Sequence, residues 1–499
     1  MVERDELDNA IRQYKLDDLL RLIGNKSQEM MLKRKSLDKV IWKKSLGGKY
    51  LQTFQQWMPI WGLAELSYRA IKNSNDYRSK SPTLEDLYQL NNLLAKVTDE
   101  NVIKNRKKAV EESRIDVLLG LPQQQLWWQD IVRGGKSTYY NFIRYYLLLK
   151  EMPTHFPEIK QKPEDDLLDL TGFGIDDFSK LLFALYAWNS MPSSEINVNA
   201  YDKEIAKIEP VITSDNLNKC LNFFTSDYSY YRDEQALNNP LFLKPIVRTS
   251  KGNLIISNSF IMARKFYESI YWIIRDKYFS LGLQDFTNAF GHYYEKYVEE
   301  LLKFYLNLNN FEKIKEEGCA DWLIHTNKYV LIVEQKSSLM SLALKKPYPS
   351  LEKFKQFLVG FKKAGVQLAN TEAKLTTDGK QVIKLILHFE SLYFKENYIK
   401  PEIKKLLMAD GISLNKFFLI DTHEFERLIQ VLSRDEDAFN TIINTKIGYE
   451  DNPPPPTDGL DFYDVIPKIN GWKEIEFLEQ YKHVFDALVR ELIPKVIKG

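Results

Sequence analysis

The 499-residue chain holds two cysteines, Cys220 and Cys319, far apart in sequence. That excludes a disulfide framework or a zinc ribbon and suggests a reducing compartment. It has six histidines, with no HExxH or other paired spacing, which argues against a zinc enzyme. Neither sign of charge is in excess: Lys and Arg total 69, Asp and Glu 68. Net charge therefore points to no polyanionic partner, and any basic surface must come from local segregation. No apolar run approaches the roughly 18 residues that a membrane span needs. The opening MVERDELDNA is acidic and polar, unlike a signal peptide. A cytoplasmic protein with no membrane contact is expected. No fixed-period repeat is present. What remains is an ordinary globular composition, with length for two or three domains.

Residues 1–240 read as a mostly helical recognition or regulatory domain. Apolar residues recur at helical spacing in AIRQYKLDDLLRLI, TLEDLYQLNNLLAKV, STYYNFIRYYLLLKEM and DDFSKLLFALYAWNSM. Near residue 240 the texture changes. LFLKPIVRTSKGNLIISNS predicts two strands joined at Lys251-Gly252, and two long helical stretches follow, SFIMARKFYESIYWIIRDKYF and DFTNAFGHYYEKYVEELLKFYLNL. Next come three strands (FEKIKEE, ADWLIH and YVLIVEQK), the amphipathic helix SLEKFKQFLVGFKKAGVQLAN, and the strand VIKLILHFE. NYIKPEIKKLLMADG reads as a further helix and NKFFLID as a strand. This order predicts an α/β module over 241–440. NPPPPTDG is a stiff connector, and WKEIEFLEQYKHVFDALVREL closes the third segment, 441–499, as one helix that packs back on the body or binds a partner.

Tyr329–Val333 reads as a strand buried on both faces, yet it runs into Glu334 and Lys336. Two residues apart on a strand, they point to one face. A buried charge costs several kcal/mol unless it is paired or bound, so the pair is an ion pair or a site. If ADWLIH and YVLIVEQK form a hairpin, Asp321 lies beside Glu334, with 12 residues between them. Two carboxylates and the backbone carbonyl of Gln335 then converge on one hard cation. Oxygen ligands with room for waters suit Mg²⁺, with Mn²⁺ as a substitute. Lys336 can orient a bound water or meet developing negative charge. Glu295 on the preceding helix offers a further carboxylate, and Gln367 on the following helix an amide.

Asp321, then Glu334-Gln335-Lys336 at the end of an apolar strand, resembles the PD-(D/E)XK nuclease superfamily, with its restriction-endonuclease-like fold. The family core runs α-β-β-β-α-β, the order read from about 285 to 390. The family's helix glutamate falls on Glu295, its aspartate on Asp321, its glutamate and lysine on Glu334 and Lys336. A glutamine found in many members falls on Gln367. The family's proline before the aspartate is Ala320 in this chain. The resemblance covers roughly 285–425, under a third of the chain, and does not extend to the N-terminal half. It implies Mg²⁺-dependent endonucleolytic hydrolysis of DNA phosphodiester bonds, with Asp321, Glu334, the Gln335 carbonyl and Glu295 around the metal. By analogy, nuclease modules on large helical domains resemble regulated effectors of bacterial anti-phage or restriction-like defence.

Each assignment has competitors. Glu299 and Glu300 rival Glu295, and Gln356 rivals Gln367. His325 is a proton carrier or a strand-end surface residue. Ser337 and Ser338 contact phosphate or satisfy backbone groups. Gly135-Lys136-Ser137 matches the end of a phosphate-binding loop, but Asp130 stands where the first glycine belongs and no buried strand precedes it. Lys345, Lys346, Lys353, Lys355, Lys362 and Lys363 lie beside the proposed site, interleaved with Phe354, Phe357 and Phe361 as a helix core face, and suit DNA phosphates. A second basic stretch, 25–50, is a phosphate-facing surface or a solvated helix face. Two other functions fit: a non-catalytic nucleic-acid-binding or scaffold protein on a nuclease fold, and an RNA-directed nuclease. A protein partner or a second copy is expected at the helical N-terminal domain or the C-terminal helix.

Overall fold

The computed structural model describes the chain apart from residues 1, 33–39, 46–47, 54–59, 112–136, 190–192, 201–208, 234–238, 341–350, 378, 393–394, 453–459, 472–473 and 489–499. The fold is mixed α/β. Three elements of the N-terminal part matter below: helix α1 (Leu16–Met31), the antiparallel hairpin β1 (Val40–Ser45) with β2 (Gly48–Thr53), and helix α2 (Ser137–Tyr146). The hairpin is a short β element within the mostly helical segment expected over 1–240. It also means that the basic stretch 25–50 is not one helix face. Its helical part ends at Met31, where Lys26 is already paired with Glu29 at 2.6 Å. The Gly134-Gly135-Lys136 segment lies outside the described residues.

A small sheet straddles residue 240. β3 (Glu195–Ile196) and β4 (Thr225–Asp227) precede it, and β5 (Ile246–Arg248) and β6 (Leu254–Ile256) follow, in the order β3-β6-β5-β4. β5 and β6 are the two strands expected around Lys251-Gly252. Gly252 adopts φ +85° between them, a left-handed conformation that an L side chain rarely takes. Helix α3 (Ser259–Ser280) then runs through the core, capped by Asn258, whose side chain accepts the N–H groups of Phe260 and Ile261.

The second sheet carries the order read from the sequence. Helix α4 (Asp285–Tyr305) precedes β7 (Phe311–Lys313), β8 (Trp322–His325) and β9 (Tyr329–Lys336). Helix α5 (Leu351–Lys374), β10 (Gln381–His388), helix α6 (Lys400–Ala409), β11 (Phe417–Asp421) and helix α7 (Thr422–Arg434) follow. The strands lie in the order β11-β10-β9-β8-β7. β7, β8 and β9 are antiparallel neighbours, whereas β10 pairs in parallel with β9 and β11.

Alternation along β9 sorts side chains into two layers. Val330 and Ile332 pack with Phe354, Leu358, Phe361 and Leu368 of α5. Leu331 and Val333 pack in the main core with Tyr297 and Leu301 of α4 and Phe425 of α7. The sheet is therefore covered on both faces, which is why YVLIV is continuously apolar. By the same alternation Glu334 and Lys336 belong to the α5 face.

The C-terminal segment packs back on the body, but not as the single helix expected. Glu476–Glu479 is a short helix, Gln480 and Tyr481 form a turn, and residues 482–488 are helical again. The break follows from anchoring. Ile475, Phe477 and Leu478 are buried in the core, and Tyr140 of α2 accepts the Ile475 N–H while donating to Glu479 at 2.9 Å. Further on, Phe485 wedges edge-on between Tyr139, Phe142 and Phe183.

Candidate active site

The β8–β9 register pairs Trp322 with Val333, so the next residue outward, Asp321, falls opposite Glu334. The strands part at that point. The Asp321 N–H still donates to the Val333 carbonyl at 3.1 Å, and the Ile314 N–H donates to the Asp321 carbonyl at 2.8 Å. Beyond it, the Gln335 N–H has no strand to pair with. Asp321 replaces the missing strand: its Oδ2 accepts that N–H at 2.7 Å. The Gln335 side chain is fixed too, accepting the Trp322 indole N–H at 3.0 Å. Strand alternation leaves the Gln335 carbonyl on the same open edge.

Glu334 is 2% exposed. Its Oε1 meets the Lys336 ammonium, while Oε2 is buried without a hydrogen-bond partner. Burial first, then the neighbouring Asp321 carboxylate, pushes Glu334 up to about 8, against the lowering pull of Lys336. Burial also raises Asp321. The Gln335 N–H and Lys336 oppose that, and the nearby Glu295 adds to it. Two carboxyls thus face each other where only one ionises easily.

Gln367 completes the cluster. Its Oε1 accepts from Lys336 Nζ at 3.2 Å and its Nε2 donates to the Cys319 carbonyl at 3.0 Å. Thr371, one turn on, accepts the Ala320 N–H at 2.8 Å and donates to the Gln367 carbonyl at 2.9 Å. This N–H contact of Ala320 is one that a proline at 320 could not make. Gln356 is exposed and bonded to Glu352 of its own helix, which separates it from the site.

Glu295 lies close enough to raise Asp321, but it is engaged on its other side: Lys313 of β7 pairs with its Oε1, and His292 lies 3.9 Å from Oε2. Its rivals are surface ion pairs of α4: Glu299 and Glu300 are both held by Lys296 and Lys303. His325 sits at the opposite end of β8, about 13 Å along the strand. There it faces Glu312 at 3.7 Å and is remote from the carboxylates. Ser337 lies against Gly291 of α4, its Oγ 3.4 Å from where a side chain on Gly291 would begin. Ser338 is exposed.

The lysines divide. Lys355 and Lys363 are exposed on α5, whose Phe354 and Phe361 are buried beneath. Lys362 is not free for phosphate: it pairs with Asp410 at 2.6 Å because α6 packs alongside α5. Lys345, Lys346 and the Lys353 side chain lie outside the described residues. Lys313, Thr371 and the Cys319 carbonyl were not foreseeable from the sequence. Nothing local marks them; each is defined by a partner 18 to 51 positions away.

Among the described residues, no three His, Cys, Asp or Glu side chains form a complete metal-ligand group. The fork offers two carboxylates and a main-chain carbonyl, with one carboxylate oxygen unpartnered. That donor set fits a hard cation that keeps several waters. Comparison with protein-family models, with curated proteins and with solved structures finds no match to the chain.

Proposed function

We propose that the chain is a metal-dependent nuclease of the PD-(D/E)XK type that hydrolyses DNA phosphodiester bonds. One observation carries this reading: Asp321, Glu334, Lys336 and Gln367 converge at one strand fork, with Glu334 Oε2 buried and unpaired. An orphaned carboxylate oxygen beside a second carboxyl suits a cation held from Asp321, Glu334 and the Gln335 carbonyl, with Glu295 reaching the same waters.

A bound Mg²⁺ supplies a lowered pKa for water and neutralises charge on the scissile phosphate. The chain's own groups do the rest. Lys336, steered by Gln367, orients the attacking water and meets the charge developing on the phosphoryl oxygens. Burial and the nearby Glu295 raise Asp321, and the Gln335 N–H and Lys336 oppose that rise. The exposed Lys355 and Lys363 offer contacts to backbone phosphates on the α5 side.

The test is cleavage of supercoiled plasmid, single-stranded DNA and RNA by wild type and Glu334→Ala, with Mg²⁺, Mn²⁺ or EDTA. Metal-dependent DNA cleavage that is absent in Glu334→Ala is expected. Cleavage of RNA alone would redirect the substrate assignment. If neither protein cleaves anything and both bind divalent cation equally, the reading is wrong.

A further inference from the structure

Lys336, His388 and Asp421 stand in register on the adjacent parallel strands β9, β10 and β11. Ile332, Ile386 and Leu419 share their parity and pack under α5, so all three belong to that face. His388 is 1% exposed. Its ring lies against Phe361 and Phe357 of α5, with centroids 5.2 and 6.0 Å away.

His388 Nδ1 is 2.6 Å from the Glu390 carbonyl oxygen. A carbonyl only accepts, so Nδ1 carries the proton and Nε2 is a bare lone pair. Nε2 is buried with no hydrogen-bond partner. Burial holds the ring neutral, although Glu390 and Asp421 favour its charged form and Lys395 opposes it. A buried acceptor left without a donor is destabilising.

The residue paired with His388 on the next strand, about 4.8 Å away, is Lys336. Its ammonium is held by Glu334 and Gln367. A cation on the Glu334 oxygens would remove the anionic partner and repel the ammonium. We infer that His388 is a positioning residue for Lys336: when a divalent cation occupies the Asp321–Glu334 fork, Lys336 shifts its hydrogen bond from Glu334 Oε1 to His388 Nε2 and keeps Gln367. No proton changes hands; one donor exchanges acceptors. This rests on the nuclease reading above.

The test is ¹⁵N-histidine NMR of the full chain with and without saturating Ca²⁺ or Mg²⁺, with occupancy followed by calorimetry and the signal assigned through His388→Gln. The Nε2 resonance should move in the direction of hydrogen-bond acceptance when cation is added, and should not move in Lys336→Met. In cleavage assays, His388→Phe should lower kcat about 10-fold with KM little changed. His388→Gln, which keeps an acceptor, should recover part of that loss. Cation binding and cleavage by wild type with a silent Nε2 resonance would overturn the role of His388 alone. Wild type that neither binds cation nor cleaves would overturn the nuclease reading, and this inference with it. If His388→Phe does not fold, the NMR result and His388→Gln decide.

Discussion

Asp321 accepts the backbone N–H of Gln335 through Oδ2 at 2.7 Å. One side chain thereby closes the end of β8 and holds a carboxylate against Glu334. The structural task and the proposed chemical task fall on the same atom group. Removing Asp321 would open the fork as well as remove a charge, so the cleaner variants lie at Glu334 and Lys336.

Glu334 gives a signed pH dependence. In EDTA its folded-state pKa of about 8 lies above a glutamate's ordinary 4.5. Between those values the folded protein keeps a proton that the unfolded chain has lost, so stability falls as pH rises from about 4.5 to 8 and is level above. A tenfold change in proton affinity corresponds to about 1.4 kcal/mol, so the whole effect is a few kcal/mol. Glu334→Gln should flatten this part of the curve and be the more stable protein at pH 8. Mg²⁺ should raise the melting temperature of wild type increasingly with pH and leave Glu334→Gln unmoved. Calorimetric melts from pH 5 to 9 check this; parallel curves for the two proteins would contradict it.

Lys336 separates binding from chemistry. Its ammonium repels a cation in the fork yet faces the expected position of the attacking water. Lys336→Met should bind Ca²⁺ at least as tightly as wild type once pH is high enough to ionise Glu334, whose pKa rises further when the Lys336 ammonium is gone. Its Mg²⁺-dependent cleavage should fall about 10²- to 10⁴-fold. Titration calorimetry beside a plasmid assay reads both. Loss of Ca²⁺ affinity equal to the loss of cleavage would assign Lys336 to the ligand set instead.

A second buried ionic centre ties the two halves of the chain together. Arg144 of α2 binds Glu426 of α7 side-on, Nε donating to Oε1 at 2.7 Å and Nη2 to Oε2 at 2.6 Å, and Tyr297 of α4 donates to the same carboxylate. Arg144→Met leaves Glu426 buried and uncompensated, a loss of about 3–5 kcal/mol. Arg144→Met with Glu426→Gln should recover part of it. Thermal melts of both variants measure this; equal melting temperatures for wild type and Arg144→Met would show that the pair is dispensable.

Much of the candidate site was legible because it depends on two short-range rules. Period-two alternation put Glu334 and Lys336 on one face, and hairpin pairing put Asp321 beside them. Gln367 was suggested by the family resemblance, with Gln356 of the same helix left as a rival, and only the packing of α5 against β9 separates the two. The order of α4 through β10 was legible, since each element carries its own apolar period. Glu295 could be placed on its helix, but its engagement with Lys313 could not. Lys362 looked like its neighbours Lys355 and Lys363 until α6 brought Asp410 to it.

The elements of the α/β module, the buried parity of β9 and the pairing that joins Asp321 to Glu334 can be read from residue order alone, because they follow from backbone geometry within a few residues. Which charges are satisfied depends on how the elements pack. The orphaned Glu334 Oε2, the bare His388 Nε2, the Ala320–Thr371 contact and the Arg144–Glu426 pair depend on strands and helices that meet across tens to hundreds of residues. Burial and partner distance are properties of that meeting, and no local pattern encodes them.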